Sequence, residues 1–200
     1  MISRTDTNPI VLRKKLRKKR RCIVGDDRAK KTATLINHVL SHHTYKTVKH
    51  IAFYSAFDGE VDITPLLLHS YNKSKHCYLP VLPKFLSQRL RFAHYANKKL
   101  VKINQFGISE PEINERTIRF ASKLDLILVP LVGFDESGQR LGMGGGYYDR
   151  CLQFRSNRIS WKKPLLMGIA FECQKVDALM QSSWDIPIDC CITEKKVYQF

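Results

Sequence analysis

The chain has 200 residues, 44% of them hydrophobic and 10% aromatic, with only ten Gly and eight Pro. That apolar content excludes a disordered or collagen-like chain and suffices for one sizeable core. The net charge is +16, and residues 1–31, with twelve basic against three acidic side chains, hold +9 of it; anionic partners from nucleotides to nucleic acids match that sign.

The longest apolar stretches, such as 126–134, fall short of the roughly 20 residues that span a bilayer. The first ten residues lack the apolar segment of a secretory signal. A soluble, cytoplasmic protein without a membrane partner is expected. Six cysteines, Cys22, Cys77, Cys151, Cys173, Cys190 and Cys191, form no C-x-x-C pair, so neither a zinc module nor a disulfide scaffold is implied. Cys77, Cys173 and Cys190 read as buried thiols, and the adjacent Cys190 and Cys191 should face opposite sides of a strand.

In chain order, residues 10–21 (IVLRKKLRKKRR) read as a helix with Leu12 and Leu16 on one side and a cationic stripe of Arg13, Arg17 and Arg21 on another. Gly25 breaks the pattern, and Asp26 or Asp27 is expected to cap a second helix carrying Ala29, Ala33, Ile36, Val39 and Leu40. Residues 49–57 read as a strand. Residues 58–62 read as a turn into a helix reaching about 73, with Asp62 as cap and Pro65 early, where its missing N–H does no harm. Strands follow at 76–82 and 89–95, and GISEP at 107–111 reads as a loop. The unbroken apolar runs 124–134 and 165–171 suit strands buried on both faces, and two short extended pieces at 189–193 and 196–200 close the chain. Strands separated by helices predict a three-layer α/β/α fold with a mostly parallel central sheet. One domain over 10–200 is expected, behind a flexible N-terminus at 1–9.

The most informative stretch is GFDESGQRLGMGGGYYDR at 133–150, which follows the central strand and leads into a helix at about 147–154. Gly142, Gly144, Gly145 and Gly146 permit positive φ and close backbone approach, so that successive N–H groups can surround one anion. A helix start adds partial positive charge, and Arg140 and Arg150 bring guanidinium donors. Asp149 fits beside phosphate only with Mg2+ between them, and Tyr147 and Tyr148 suit stacking on a planar ligand or packing on the sheet. Neither the Walker loop nor the dinucleotide fingerprint fits. Two readings stay open for these residues alone, a phosphate-binding loop and a structural glycine turn.

The phrase VPLVGFDESGQRLGMGGGYYDR closely resembles the signature of the 5-formyltetrahydrofolate cyclo-ligase family. The basic first helix with R13-x-x-L16-R17, YSAFDGEVD at 54–62, FGISEP at 106–111, Gln174 and WDIPID at 184–189 extend the resemblance from about residue 10 to 193. It implies a single-domain α/β enzyme that uses ATP and Mg2+ to convert 5-formyltetrahydrofolate to 5,10-methenyltetrahydrofolate. ATP phosphorylates the formyl oxygen, N10 attacks the activated carbon, and ADP and phosphate leave. Carried over, Arg13 and Arg17 hold the ATP phosphates, with Arg140, Gly142, Gly144, Gly145, Gly146 and Tyr148 around them. Arg140 and Asp149 are the catalytic pair, Asp149 and Asp185 bind the metal, and Glu60, Tyr147 and Tyr148 contact folate. Two departures stand out. Met180 and Ser182 occupy positions where the family often has Pro and a carboxylate, and Gly145 stands where some members carry Lys, a missing cation that the basic first helix can offset.

A nucleic-acid binder using residues 13–21 is the main rival, but no reading element such as a helix-turn-helix accompanies that run, so no specific nucleic-acid partner is expected. With no heptad and no long exposed apolar edge, a monomer handling small-molecule substrates is the expectation.

Overall fold

The computed structural model describes residues 8–82, 89–95, 100–103, 109–111, 118–156 and 163–200. The first helix, α1 (Pro9–Arg21), starts where the Asn8 side chain accepts the Ile10 N–H at 2.9 Å and Pro9 takes the first helical position. Asn8 and Pro9 are thus part of the helix start and not of a flexible arm; residues 1–7 lie outside the described residues. Helix α2 (Gly25–Ser41) begins after an extended Val24 with no side-chain cap. Asp26 and Asp27 instead occupy its first turn, where their charge complements the helix dipole. A short helix, α3 (His43–Thr47), precedes strand β1 (His50–Ala52).

Strand β1 is shorter than the nine residues read from the sequence. The chain leaves the sheet after Phe53, whose N–H still reaches the Tyr78 carbonyl at 2.8 Å, and turns at Asp58 and Gly59, both at positive φ. Helix α4 (Thr64–Asn72) follows with Ile63 at the cap position and no side-chain cap; Asp62, expected there, stands one residue earlier and accepts the Thr64 N–H at 2.9 Å. Next come β2 (His76–Val81) and β3 (Arg91–His94). Strands β4 (Leu100–Ile103) and β5 (Ser109–Pro111) pair antiparallel, so 109–111 is strand where a loop was expected; residues 104–108 lie outside the described residues. Then β6 (Ile118–Arg119), β7 (Leu126–Pro130) and the hairpin strands β8 (Gly133–Phe134) and β9 (Arg140–Leu141) lead to α5 (Tyr147–Leu152). The chain ends with β10 (Leu165–Ile169), β11 (Cys190–Ile192) and β12 (Val197–Gln199).

One eight-stranded sheet runs β12-β11-β10-β7-β1-β2-β3-β6. The five central strands, β11, β10, β7, β1 and β2, pair in parallel, and β12, β3 and β6 add antiparallel edges. The all-apolar reading of β7 holds because successive side chains alternate between two cores. Leu126 and Leu128 join Leu35, Val39, Leu66 and Leu67 from α2 and α4 on one face, while Ile127 and Val129 join Cys151 and Leu152 from α5 on the other. Three layers result, in accord with the expected α/β/α class. Cys190 and Cys191 fall into opposite cores, and all six cysteines are free.

Candidate functional site

Strand β7 delivers the chain to the site at its C-terminal end, where open parallel sheets present ligand-binding loops. The β8–β9 hairpin is held by a buried Asp135. Its Oδ1 accepts from the Ser137 and Gln139 N–H groups at 2.9 and 3.0 Å, and its Oδ2 from the Leu179 N–H at 2.8 Å. Gln174, also buried, donates to the Leu131 and Val132 carbonyls and so ties the residues after β10 to those after β7. Helix α1 lays Leu12 and Leu16 onto this platform, against Val132 and Leu141. A Cβ at Gly133 would fall 2.6 Å from Leu16 Cδ1 and 3.3 Å from the Gln174 carbonyl, so the Leu16 side chain would have to shift.

Docked in this way, α1 turns its arginines toward two different partners. Arg13 Nε donates to the Gly142 carbonyl at 2.8 Å, and its guanidinium lies beside Gly144. Arg17 meets Asp58 Oδ2 at 2.6 Å, Arg20 meets it at 2.9 Å, and Arg21 bonds Asp58 Oδ1. Arg20 is fully buried and also donates to the carbonyls of Asp58 and Leu131. This knot fixes the loop that carries Glu60, whose Oε1 lies 3.9 Å from Arg20. Burial raises the Glu60 carboxyl to about 7, although the Arg20 charge and the Phe57 N–H pull it back. Burial, then the Glu60 charge, pushes the Tyr54 phenol upward, and burial, Cys151 and Glu60 do the same to Tyr148. The Tyr54 hydroxyl donates to the carbonyl of Val61, next in chain to Glu60, at 2.8 Å.

The glycine loop has the conformation its composition demands. Gly144 and Gly146 sit at φ +101° and +62°, and a Cβ at Gly145 would lie 2.8 Å from the Tyr147 ring. Helix α5 has only six residues, so the positive end expected from a helix start is weak and the side chains carry most of the charge. Arg150 donates to the Gly145 carbonyl at 2.9 Å and lies over the Tyr147 ring, while its buried Nε has no partner among the described residues. An orphaned buried donor beside a glycine loop suits an anion. Arg140 bonds both Asp149 Oδ1 and the Ile186 carbonyl and lies 6.0 Å from the Tyr148 ring. The Ile186 N–H reaches Asp149 Oδ1 at 3.4 Å, which brings Asp185, next in chain, to the same neighbourhood. Asp185 Oδ2 accepts the Ser182 N–H at 2.8 Å and closes its own turn.

Among the described residues no group of three or more His, Cys, Asp or Glu is arranged to hold a metal ion. Asp149 and Asp185 remain suited to Mg2+ arriving with a nucleotide, because Mg2+ takes one or two carboxylates and fills its octahedron with phosphate oxygens and water. Arg140 and the Ile186 N–H both meet Asp149 on Oδ1.

Of the residues singled out in the sequence, Arg13 and the glycine loop come together at Gly142 and Gly144, as do Arg140, Asp149 and Tyr148, while Glu60 stands with Arg20 and Phe57. Arg17 is turned to Asp58 and Tyr147 to Arg150. Arg20, Asp58 and Tyr54 escaped sequence reasoning. Counting in fours from Arg13 selects Arg17 and Arg21, whereas the buried Arg20, seven residues on, shares their partner Asp58 and is missed by that count.

A profile of the 5-formyltetrahydrofolate cyclo-ligase family matches residues 7–194. The chain is 37% identical over 177 residues to the Haemophilus influenzae 5-formyltetrahydrofolate cyclo-ligase, covering 88% of this chain and 92% of the relative. It is 34% identical over 187 residues to the Escherichia coli K12 protein of the same name, covering 92% and 100%. The solution structure of Aquifex aeolicus 5,10-methenyltetrahydrofolate synthetase superposes with a TM-score of 0.80 at 34% identity, over 96% of this chain and 92% of that one. A Mycoplasma pneumoniae synthetase, at 22% identity, shares the fold with a TM-score of 0.72.

Proposed function

The chain belongs to the 5-formyltetrahydrofolate cyclo-ligase family, and from that premise we propose how its residues use ATP to close 5-formyltetrahydrofolate to 5,10-methenyltetrahydrofolate. The enzyme is an ATP-dependent ligase. An amide oxygen is a poor leaving group, so the formyl oxygen takes the γ-phosphoryl group of ATP, N10 attacks the activated carbon, and the C–O bond breaks to release phosphate alongside ADP. The observation that carries this reading is the glycine loop lined by the guanidiniums of Arg13, Arg140 and Arg150, with the orphaned Arg150 Nε among them.

Arg13, Arg140 and Arg150 face the loop from three elements and offset the charge that moves between phosphate oxygens, the usual protein contribution to phosphoryl transfer. Asp149 and Asp185 are the candidate ligands for Mg2+, which when bound neutralises charge across the phosphates. Glu60 contacts the folate. Titrating near 7, its carboxyl accepts or donates a hydrogen bond at working pH without a large penalty. Tyr148, with the Arg140 guanidinium over its ring, lines the junction of folate and nucleotide, with Tyr147 beside it. Six free cysteines support a reducing compartment, the cytoplasm.

The test is the absorbance of the methenyl product after mixing enzyme with 5-formyltetrahydrofolate, ATP and Mg2+. A rise that needs all three components, and that Asp149→Ala abolishes with the fold intact, is expected. A rise without ATP, or one that survives Asp149→Ala, would overturn these assignments.

A further inference from the structure

At the opposite end of the sheet, the N-terminal ends of the parallel strands carry a second cluster of charged and aromatic side chains that the reaction does not use. His50 opens β1 and His76 opens β2, and their rings stack at 4.6 Å with planes 9° apart. His94 of β3 packs edge-on against Tyr78 and 5.9 Å from His76. Tyr78 hydroxyl meets His50 Nδ1 at 3.0 Å, and the Arg119 guanidinium of β6 lies 5.7 Å from the Tyr78 ring. His76, Tyr78, His94 and Arg119, with Phe120 and Lys123, line a cavity of about 610 Å³, and His50 backs that wall through its stack on His76.

Charge and shape select the occupant. Arg119 and Lys123 are fixed cations, and three imidazoles add charge on protonation. Asp125, just before β7 and beside His50, is already engaged by the N–H groups of Lys49 and His50 and by Lys163. The wall offers aromatic rings in His76, Tyr78 and His94, and Phe120 at its rim is 58% exposed. The volume lies within the few-hundred to 1,000 Å³ range of small-molecule sites and exceeds the need of a bare ion. We propose that this cavity is a second ligand site, remote from the glycine loop, that takes a planar aromatic anion of the nucleoside monophosphate class.

Binding there should consume protons. Burial and then the neighbouring His76 hold His50 below the ordinary imidazole value, and burial, His76 and Arg119 do the same to His94. An anion among these rings favours their charged forms, so affinity rises as pH falls.

The experiment is a titration of AMP into the full-length protein, followed by the imidazole resonances of its seven histidines at about pH 7.5 and about pH 6. His50, His76 and His94 are expected to move together with one dissociation constant, tighter at the lower pH, while His38, His42, His43 and His69 stay still. Arg119→Gln/Lys123→Gln, on exposed side chains, should weaken that response roughly tenfold and leave folate turnover unchanged. Stationary resonances for His50 and His94, or shifts that survive the double variant, would overturn the site. Inorganic phosphate binding as tightly as AMP would overturn its planar specificity. Loss of turnover in Asp149→Ala bears on the glycine loop alone, so the two readings fail separately.

Discussion

The arginines of α1 divide between two regions a few residues apart. Arg17, Arg20 and Arg21 converge on one almost fully buried carboxylate, Asp58, whereas Arg13, like Arg150 across the loop, rests on a glycine carbonyl. A guanidinium on a carboxylate has its charge compensated, whereas one on a neutral carbonyl keeps an uncompensated charge and gains by exchanging the carbonyl for a phosphate oxygen. The Asp58 knot is therefore framework and the loop arginines are ligand-ready. A string of basic residues in one helix does two jobs, separated by the partner each arginine meets.

The largest expected effect lies in the knot. Arg20→Ala leaves Asp58 and Glu60 buried with one guanidinium fewer, and removal of one partner from a buried pair costs about 3–5 kcal/mol. Denaturant unfolding should show that loss, with Arg20→Lys recovering only part of it, because an ammonium cannot span Asp58 and the Leu131 carbonyl in the same fork. A loss below 1 kcal/mol would mean that the knot is not framework.

Next comes Glu60. Its carboxyl is raised in the fold from 4.5 to about 7, so the folded state binds the proton more tightly than the unfolded chain. Its contribution to stability is complete below pH 4.5 and is lost as pH rises through about 7. At about 1.4 kcal/mol per unit, the swing is on the order of 3 kcal/mol. Stability of Glu60→Gln measured against pH should lack that fall, and equal slopes for the two proteins across the window would remove the near-neutral carboxyl from the site.

These charged features show where sequence reasoning stops. The α/β class, the two-faced strands β7 and β10, and the glycine loop were legible because runs of apolar residues and clustered glycines carry their meaning locally. The paired strands β4 and β5 and the hairpin β8–β9 were not, since two to four residues hold no periodicity. Arg20 was hidden for another reason. Its burial depends on Asp58, 38 positions away and brought in by a turn at positive φ, and a long-range carboxylate cannot be read from the helix that needs it. The resemblance supplied Arg13 and Arg17 as equals, and their partners now distinguish them.

That distinction sets the middle-sized effects. Arg13→Ala should raise the ATP concentration needed for half-maximal rate by about 10- to 100-fold, the worth of a charged hydrogen bond. Arg17, which must give up Asp58 before it reaches a phosphate, should contribute severalfold less. Initial rates at varied ATP separate them, and equal effects from the two single variants would break the division between framework and ligand-ready arginines. Indifference of KM for ATP to the Arg13→Ala/Arg17→Ala double variant would also sink the idea that α1 compensates for the Lys that Gly145 replaces.

The smallest effect sharpens the comparison most. Arg21 bonds the same carboxylate as Arg20, yet its side chain is 53% exposed where that of Arg20 is fully buried. Water solvates an exposed guanidinium nearly as well as a carboxylate does, and such pairs contribute about 0–1 kcal/mol. Arg21→Ala should therefore cost less than 1 kcal/mol and fade with added salt, while Arg20→Ala should be insensitive to salt. If the two variants lost equal stability, the number of arginines on Asp58 would matter and their burial would not. Salt-dependent unfolding of both decides between these accounts, because screening reaches only the guanidinium that water already touches.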